Sequence, residues 1–358
     1  MLYADKYRPR ALADFELHGD IAGNLSKLIS QNDCPHTLFY GPPGAGKKTL
    51  ILALLREVYG PGVEKARATQ LIFPPRLQLK VENKPWKIEL PKRTLELEFT
   101  TISSAHHVEL NPSDVGNNDR YVVQEIIHEM ARNRPMLILD EVDRMSKDAQ
   151  HSLRRTMEKY TAACRIVLCC NNVSKVIEPV RSRCLCVRVR APSQPEIEAR
   201  LQAVAAAEAW PPLPEAFCVR LAAASGGNLR RALLSLEACK AQQFPFQAAQ
   251  PVAAPDWEQY IDEVAEDIRR EQSPKQLLLV RGKLYELLVN CIPPEVVLRQ
   301  LTRALAARLD DELRHAVVRH AAGFEHRLQQ GSKAIFHLEA FVARFMADYK
   351  NFLITALA

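Results

Sequence analysis

No stretch of the 358 residues holds the roughly 18 unbroken apolar positions that a membrane span needs, so no membrane partner is expected. Glycine is scarce, with 13 residues, and aromatics make up only 7% of the chain. With 47% hydrophobic and 25% charged residues the composition is that of an ordinary globular protein, which excludes a collagen-like, low-complexity or wholly disordered chain. An apolar leader is also missing. Met1-Leu2-Tyr3-Ala4-Asp5-Lys6 starts without an h-region, and a cytosolic or nuclear location is expected. Neither Cys169-Cys170 nor Cys184-x-Cys186 has the CxxC spacing of a zinc site. The cysteines number nine, at 34, 164, 169, 170, 184, 186, 218, 239 and 291. An odd count, partly inside apolar runs, argues against a disulfide framework, so reduced core thiols are expected.

The net charge is +6, and its excess lies in residues 1–256, with 34 Lys/Arg against 28 Asp/Glu; residues 257–358 carry 14 of each. A polyanionic partner for the N-terminal part is permitted, and a plain solvated surface reads equally well. The length suits two or three domains.

Up to about residue 190, short apolar runs alternate with helical patterns. His36-Thr37-Leu38-Phe39-Tyr40, Met136-Leu137-Ile138-Leu139 and Arg165-Ile166-Val167-Leu168-Cys169 read as buried strands of a parallel sheet. Between the first two, Lys47 to Tyr59 places Leu50, Ile51, Leu54 and Val58 on one helical face. The expected fold is therefore an α/β domain over 1–190, its parallel sheet covered by helices on both faces. An inserted β excursion is expected at about 64–105, where Leu77, Leu79 and Val81, then Leu95, Leu97 and Phe99, alternate with polar residues. Ser193-x-x-Glu196 is a capping box that opens a small helical domain over 191–240. The Pro-containing stretch 241–256 reads as a linker. Residues 257–358 show only helical periodicity, with breaks at Pro274 and Pro293-Pro294.

The chemistry begins at Gly41-Pro42-Pro43-Gly44-Ala45-Gly46-Lys47, which follows a strand and opens a helix. Glycines let backbone N–H groups wrap phosphates, the helix N-terminus favours negative charge, and Lys47 reaches the terminal phosphates. The position after Lys47 departs from that pattern. A Ser or Thr hydroxyl would hold Mg²⁺ there, but Lys48 fills it, and Thr49 lies about 100° further round the helix. An ammonium repels a metal ion, so Lys48 is read as a partial replacement for the metal's charge, in a site that holds nucleotide and turns it over poorly. Asp140-Glu141, ending a strand, fit the acids that orient Mg²⁺ and polarise the attacking water; a helix cap is the alternative. Asn171, directly after the strand Ile166–Cys170, can hydrogen-bond a phosphate or water. Arg183 and Arg230, taken singly, read as surface residues.

With these pieces in order the chain resembles the AAA+ clamp loaders, and among them the small subunits of replication factor C. The likeness runs nearly end to end. It is carried by Asp5-Lys6-Tyr7-Arg8-Pro9, the loop 41–49, Leu110-Asn111-Pro112-Ser113-Asp114, Asp140–Asp143, Leu153-Arg154-Arg155-Thr156-Met157-Glu158, Ser182-Arg183-Cys184, Leu284–Leu288 and Cys291–Glu295. Lys48 and Pro112 narrow it to one of those subunits.

The resemblance implies an AAA+ P-loop domain, a helical lid and an all-α collar. ATP or ADP would be held by Tyr7, Arg8 and Pro9 near the adenine and by Gly41, Gly44, Ala45, Gly46, Lys47, Lys48 and Thr49. Arg230 would reach phosphate from the lid. Asn171 and Glu141 would act at the γ-phosphate, Asp140 would take Mg²⁺ if any is bound, and Arg183 would be an arginine finger serving a neighbouring subunit. The implied partners are four other replication factor C-type subunits, a PCNA-type sliding clamp and primer–template DNA, in the nucleus, for replication and repair.

On the helix from Ser146, Ala149, Leu153, Met157 and Tyr160 fall on a core face, leaving Lys147, Gln150, Arg154 and Arg155 available. Arg154 and Arg155 are the candidates for DNA phosphates; a salt bridge with Glu158 is the alternative. Val122, Val123, Ile126, Ile127 and Met130 form a stripe at helical spacing, read as core or, from the resemblance, as clamp contact. Two other functions stay open: a stand-alone AAA+ remodeller or helicase loader, which Lys48 speaks against, and a non-catalytic scaffold with a structural nucleotide, which Asp140-Glu141 speaks against.

Overall fold

A computed structural model describes residues 1–30, 34–60, 80–90, 93–104, 106–127, 129–130, 135–161, 163–331 and 333–357. They form two units, Met1–Val252 and Ala253–Ala358.

In the first unit α1 (Tyr3–Lys6) and α2 (Gly19–Ser30) precede β1 (Thr37–Tyr40) and α3 (Lys47–Tyr59). Then come β2 (Lys80–Leu90), β3 (Arg93–Ser103), β4 (His107–Leu110), α4 (Asp119–Tyr121), β5 (Met136–Leu139), α5 (Lys147–Tyr160), β6 (Arg165–Cys170), α6 (Glu178–Arg181) and β7 (Leu185–Arg188). Helices α7 (Gln194–Ala207), α8 (Glu215–Ser225) and α9 (Leu229–Gln242) complete it. Among the described residues the sheet order is β2-β3-β4-β5-β6-β1-β7. The pairs β4–β5, β5–β6, β6–β1 and β1–β7 are parallel, and β2–β3–β4 are antiparallel.

The apolar runs are continuous because both faces of the sheet are covered. Alternate strand residues point to opposite sides. Leu38, Leu137, Leu139, Ile166, Leu168 and Cys170 go to the core with Val122, Val123, Leu153 and Met157. Phe39, Met136, Ile138, Val167 and Cys169 go to the other, with Leu50, Ile51, Leu54 and Leu25. Each fully buried Leu or Ile contributes about 1.5–3 kcal/mol against exposure, so the runs themselves hold the sheet. β7 is the edge, and Leu185 and Cys186 are exposed there. The β excursion takes the form of the hairpin β2–β3, whose register pairs Leu90 with Arg93; the part expected over 64–79, with Leu77 and Leu79, lies outside the described residues.

Three expectations need correction. Over Val122–Ile127 the stripe is no regular α-helix: a 3₁₀ turn (Pro112–Asn118) and α4 lead into a π turn there, with Val122, Val123 and Ile127 fully buried. Gln150 is not available on α5. It is 1% exposed, donates Nε2–H to Val142 O, Met145 O and Lys175 O, and accepts from the Ile177 N–H. A polar residue saturated by backbone partners can be buried. The cysteines carry thiols and form no disulfide, but Cys186 and Cys291 are exposed rather than core thiols. Burial pushes the Cys169 and Cys170 thiols up to about 12.

Ser193 and Glu196 form the capping box at α7: the Ser193 N–H donates to Glu196 Oε2 at 2.7 Å. After α9, Phe246 stacks on Phe217 and packs on Trp210, and Gln250 is buried, donating Nε2–H to Cys239 O.

The second unit is helical: α10 (Asp256–Arg270), α11 (Pro274–Val289), α12 (Pro294–Ala306), α13 (Asp311–Gln330) and α14 (Ala334–Leu357). Its core gathers Ile261, Val264, Leu284, Val297, Leu301, Leu305, Phe341 and Phe345, with Phe352 packed at its margin. Ser273 caps α11 by accepting the Gln276 N–H, and Pro274 and Pro294 sit at helix N-termini, where a missing N–H does no harm. No helix among the described residues is long and apolar enough to cross a membrane.

Candidate nucleotide site

The C-terminal end of β1 runs into the loop 41–46, and α3 starts at Lys47. The first N–H groups of a helix have no partner within it, so this end of α3 faces an anion site. Two loop positions require glycine. At Gly44 (φ +74°) a Cβ would stand 1.8 Å from Asn228 Oδ1, and at Gly41 (φ +154°) 1.9 Å from Val189 O. Asn228 caps α9, accepting the Arg231 N–H at 3.1 Å, so the loop and α9 close on each other with no room for a side chain.

A cavity of about 530 Å³ opens over the loop. Tyr7, Arg8, Pro9, Gly44, Ala45, Gly46, Lys47, Lys48, Thr49, Asp140, Glu141, Asn171 and Arg230 line it. Gly41 lies below, its carbonyl accepting from Lys47. Arg183, Arg154 and Arg155 are not among the lining residues.

Lys47 is 7% exposed. Its Nζ donates to Gly41 O (2.7 Å), Pro42 O (2.9 Å) and Asn171 Oδ1 (2.8 Å). None of these partners is charged. Burial therefore lowers the ammonium below its ordinary range, and the nearby Arg230 charge acts the same way. An anion in the cavity would relieve both effects.

Lys48 has the opposite surroundings. Its Nζ pairs with Glu109 Oε1 and, at 3.2 Å, with Asp140 Oδ2. Burial opposes the charge, but the two carboxylates outweigh it and hold the ammonium above its usual range. With two carboxylates to one ammonium, burial pushes the Glu109 carboxyl up, and Asp140 adds to that although Lys48 opposes it. The ammonium stands on the acid that would orient a metal, and no hydroxyl adjoins Lys47 in sequence. These residues do not fit Mg²⁺.

Glu141 takes a left-handed backbone (φ 52°), an uncommon conformation for a non-glycine residue. Its Oε2 pairs with Arg144 Nη1 at 3.0 Å. Asp143 accepts the backbone N–H groups of Asn171 and Asn172, tying the end of β6 to the end of β5 and setting Asn171 beside Lys47.

Among the lining residues not singled out in the sequence, three make polar contacts that shape the site. Glu109 is one acid in the buried strand His107-Val108-Glu109-Leu110, and a lone acid in an apolar run was the available signal. His18 bonds Ala45 O through Nε2 at 2.9 Å. Arg200, on α7, donates to Tyr7 O at 2.8 Å and so holds the segment before Arg8-Pro9. Neither has a local pattern that announces it.

Away from the cavity, Arg183 precedes the edge strand β7 with its side chain 39% exposed. Nη1 donates to Pro179 O and Nη2 pairs with Glu158 Oε1, both at 2.7 Å. Arg155 is exposed, and Arg154 Nε lies 3.6 Å from the same Glu158 oxygen.

A sheet in which the parallel strand β1 feeds a phosphate loop, with β5 and the two acids that follow it one strand further in beyond β6, defines a P-loop ATPase domain of the AAA class. Residues 37–190 match the family described as "ATPase family associated with various cellular activities", so nucleotide binding belongs to the class. Residues 257–353 match "Replication factor C subunit 3, C-terminal domain". The chain is 54% identical to Replication factor C subunit 3 of Arabidopsis thaliana over 99% of both chains. It is 48% identical to Replication factor C subunit 3 of Mus musculus over 98% of this chain and 97% of that one. With Replication factor C subunit 5 of Neurospora crassa the identity is 42% over 99% of both. The chain belongs to the replication factor C family. Among solved structures, RuvB of Thermotoga maritima matches at TM-score 0.47 and 15% identity, over 77% of this chain and 85% of that one, a likeness too loose to bear on function.

Proposed function

We propose that the chain works as a clamp-loader subunit. It holds ATP or ADP over the loop 41–47 and turns it over poorly by itself. In a complex with four other replication factor C-type subunits it helps load a PCNA-type clamp onto primer–template DNA in the nucleus. The observation that carries this reading of its own site is the Lys48 ammonium set between Glu109 and Asp140.

Lys47, leaving the carbonyls of Gly41 and Pro42, would bind phosphate together with the loop N–H groups and Arg230. Tyr7, Arg8 and Pro9 would border the base. Asn171 would pass from Lys47 to a phosphate oxygen, and Glu141 would orient water once free of Arg144. Lys48 supplies fixed positive charge where a metal would otherwise sit, and no step is assigned to Mg²⁺. Arg183 serves an adjoining subunit: a guanidinium stays protonated and can fork onto phosphate oxygens, and fingers of this kind contribute about 10³–10⁵ in rate elsewhere. Arg154 and Arg155 meet DNA phosphates in a salt-sensitive, sequence-independent way.

Titration of the purified chain with ADP, with and without chelator, tests the Lys48 reading. Affinity should change by less than about threefold, and tenfold dependence on Mg²⁺ overturns it. In the reconstituted complex, Arg183→Ala should lower ATPase about tenfold or more and leave this chain's ADP affinity intact. The second reading, a scaffold with structural nucleotide, draws on the same Lys48 placement. It holds if Arg183→Ala leaves complex ATPase unchanged and ADP does not alter assembly.

A further inference from the structure

Arg183 is not a free side chain. Of its five N–H donors, one on Nη1 goes to Pro179 O and one on Nη2 to Glu158 Oε1, each at 2.7 Å. Nη1 also donates to Ser182 Oγ at 3.5 Å, and together these contacts orient the guanidinium plane. Glu158 is held in turn. Its Oε1 faces Arg154 Nε at 3.6 Å from the preceding turn of α5. The neighbouring Arg181 has a carboxylate of its own, Glu178, and does not compete. A long flexible cation must otherwise be ordered when it engages phosphate, and a side chain already oriented avoids much of that entropic cost.

We propose that Glu158 is a positioning residue for Arg183. Its carboxylate, steadied by Arg154, holds the guanidinium in the orientation in which it meets the nucleotide of an adjoining subunit. This rests on the reading of Arg183 as a finger that acts across the interface. It also makes the last turn of α5 part of the finger's support: one carboxylate oxygen is shared between Arg183 and Arg154.

The test uses the complete reconstituted complex with Glu158→Ala, Glu158→Gln, Arg183→Ala and the double variant Glu158→Ala/Arg183→Ala. Glu158→Ala should lower complex ATPase about two- to fivefold, the range that one exposed ion pair supplies, with this chain's ADP affinity unmoved and its thermal midpoint lowered by no more than about 4 °C. Glu158→Gln keeps an acceptor oxygen for Nη2 and should recover part of the loss. The double variant should be no slower than Arg183→Ala alone, because residues acting as one unit are non-additive. If Glu158→Ala leaves ATPase unchanged while Arg183→Ala lowers it, the positioning role is wrong. The same holds if the double variant loses both factors in full. If Arg183→Ala itself has no effect, the finger reading fails, and the two failures are told apart.

Discussion

Two charge triads of opposite sign stand in different surroundings in the first unit. At the loop, one cation lies between two carboxylates: Lys48 with Glu109 and Asp140, where the Glu109 side chain is only 7% exposed. Before the edge strand, one carboxylate lies between two cations: Glu158 with Arg183 and Arg154, with side chains 39–44% exposed. The arithmetic of charges is alike, but the solvent is not. The burial of Glu109 makes the first triad depend on its cation, although Lys48 itself is 38% exposed, since a buried charge left alone is costly. Water screens the second, which can orient a side chain but adds little to stability.

The largest break in this comparison should come from Lys48→Met. It leaves Glu109 and Asp140 facing each other with no cation, and urea denaturation should show a loss of about 1–3 kcal/mol, less than a fully buried pair would cost because Lys48 is itself 38% exposed and partly screened. Adding Glu109→Gln should return a good part of it; no recovery would mean that the cost lies in packing rather than in charge.

A smaller effect follows from pH. The Lys48 ammonium is held above its ordinary 10.5, so the folded state keeps a proton that the unfolded chain gives up. The triad's contribution is present below pH 10.5 and is lost as pH rises through the higher folded value. Stability of the wild-type chain should therefore fall more steeply above pH 10.5 than that of Lys48→Met, as read by thermal melts across that range. Parallel curves would remove the claim.

The smallest effect belongs to the exposed triad. Glu158→Ala should cost less than about 1 kcal/mol in denaturant unfolding and less again at high salt. A loss comparable to that of Lys48→Met would erase the distinction between the two triads.

Much of the site is legible in the sequence alone. Gly41–Lys47 is a contiguous pattern with a mechanism, and the apolar runs 136–139 and 165–169 announce strands because a sheet buried on both faces needs no polar alternation. Other parts are not. Gln150 reads as a solvated helix residue, and its burial depends on carbonyls at Val142, Met145 and Lys175 that fold around it. The stripe has helical spacing, yet Val122–Ile127 form a π turn, a choice made by how Val122, Val123 and Ile127 fit the core. Cys186 sits in a strand pattern but on the open edge, which only the strand order reveals.

By itself the sequence determined a phosphate-gripping loop without the hydroxyl a metal wants, and a lysine where that hydroxyl would be, because these are matters of residue type at fixed local spacing. Tertiary structure decided what that lysine touches. Glu109 lies 61 positions away from it, on a strand brought alongside by pairing register, as Glu158 on one helix comes to Arg183 on another turn. Such meetings depend on which face each element buries and which neighbour it pairs with, and those are settled only when the whole sheet closes.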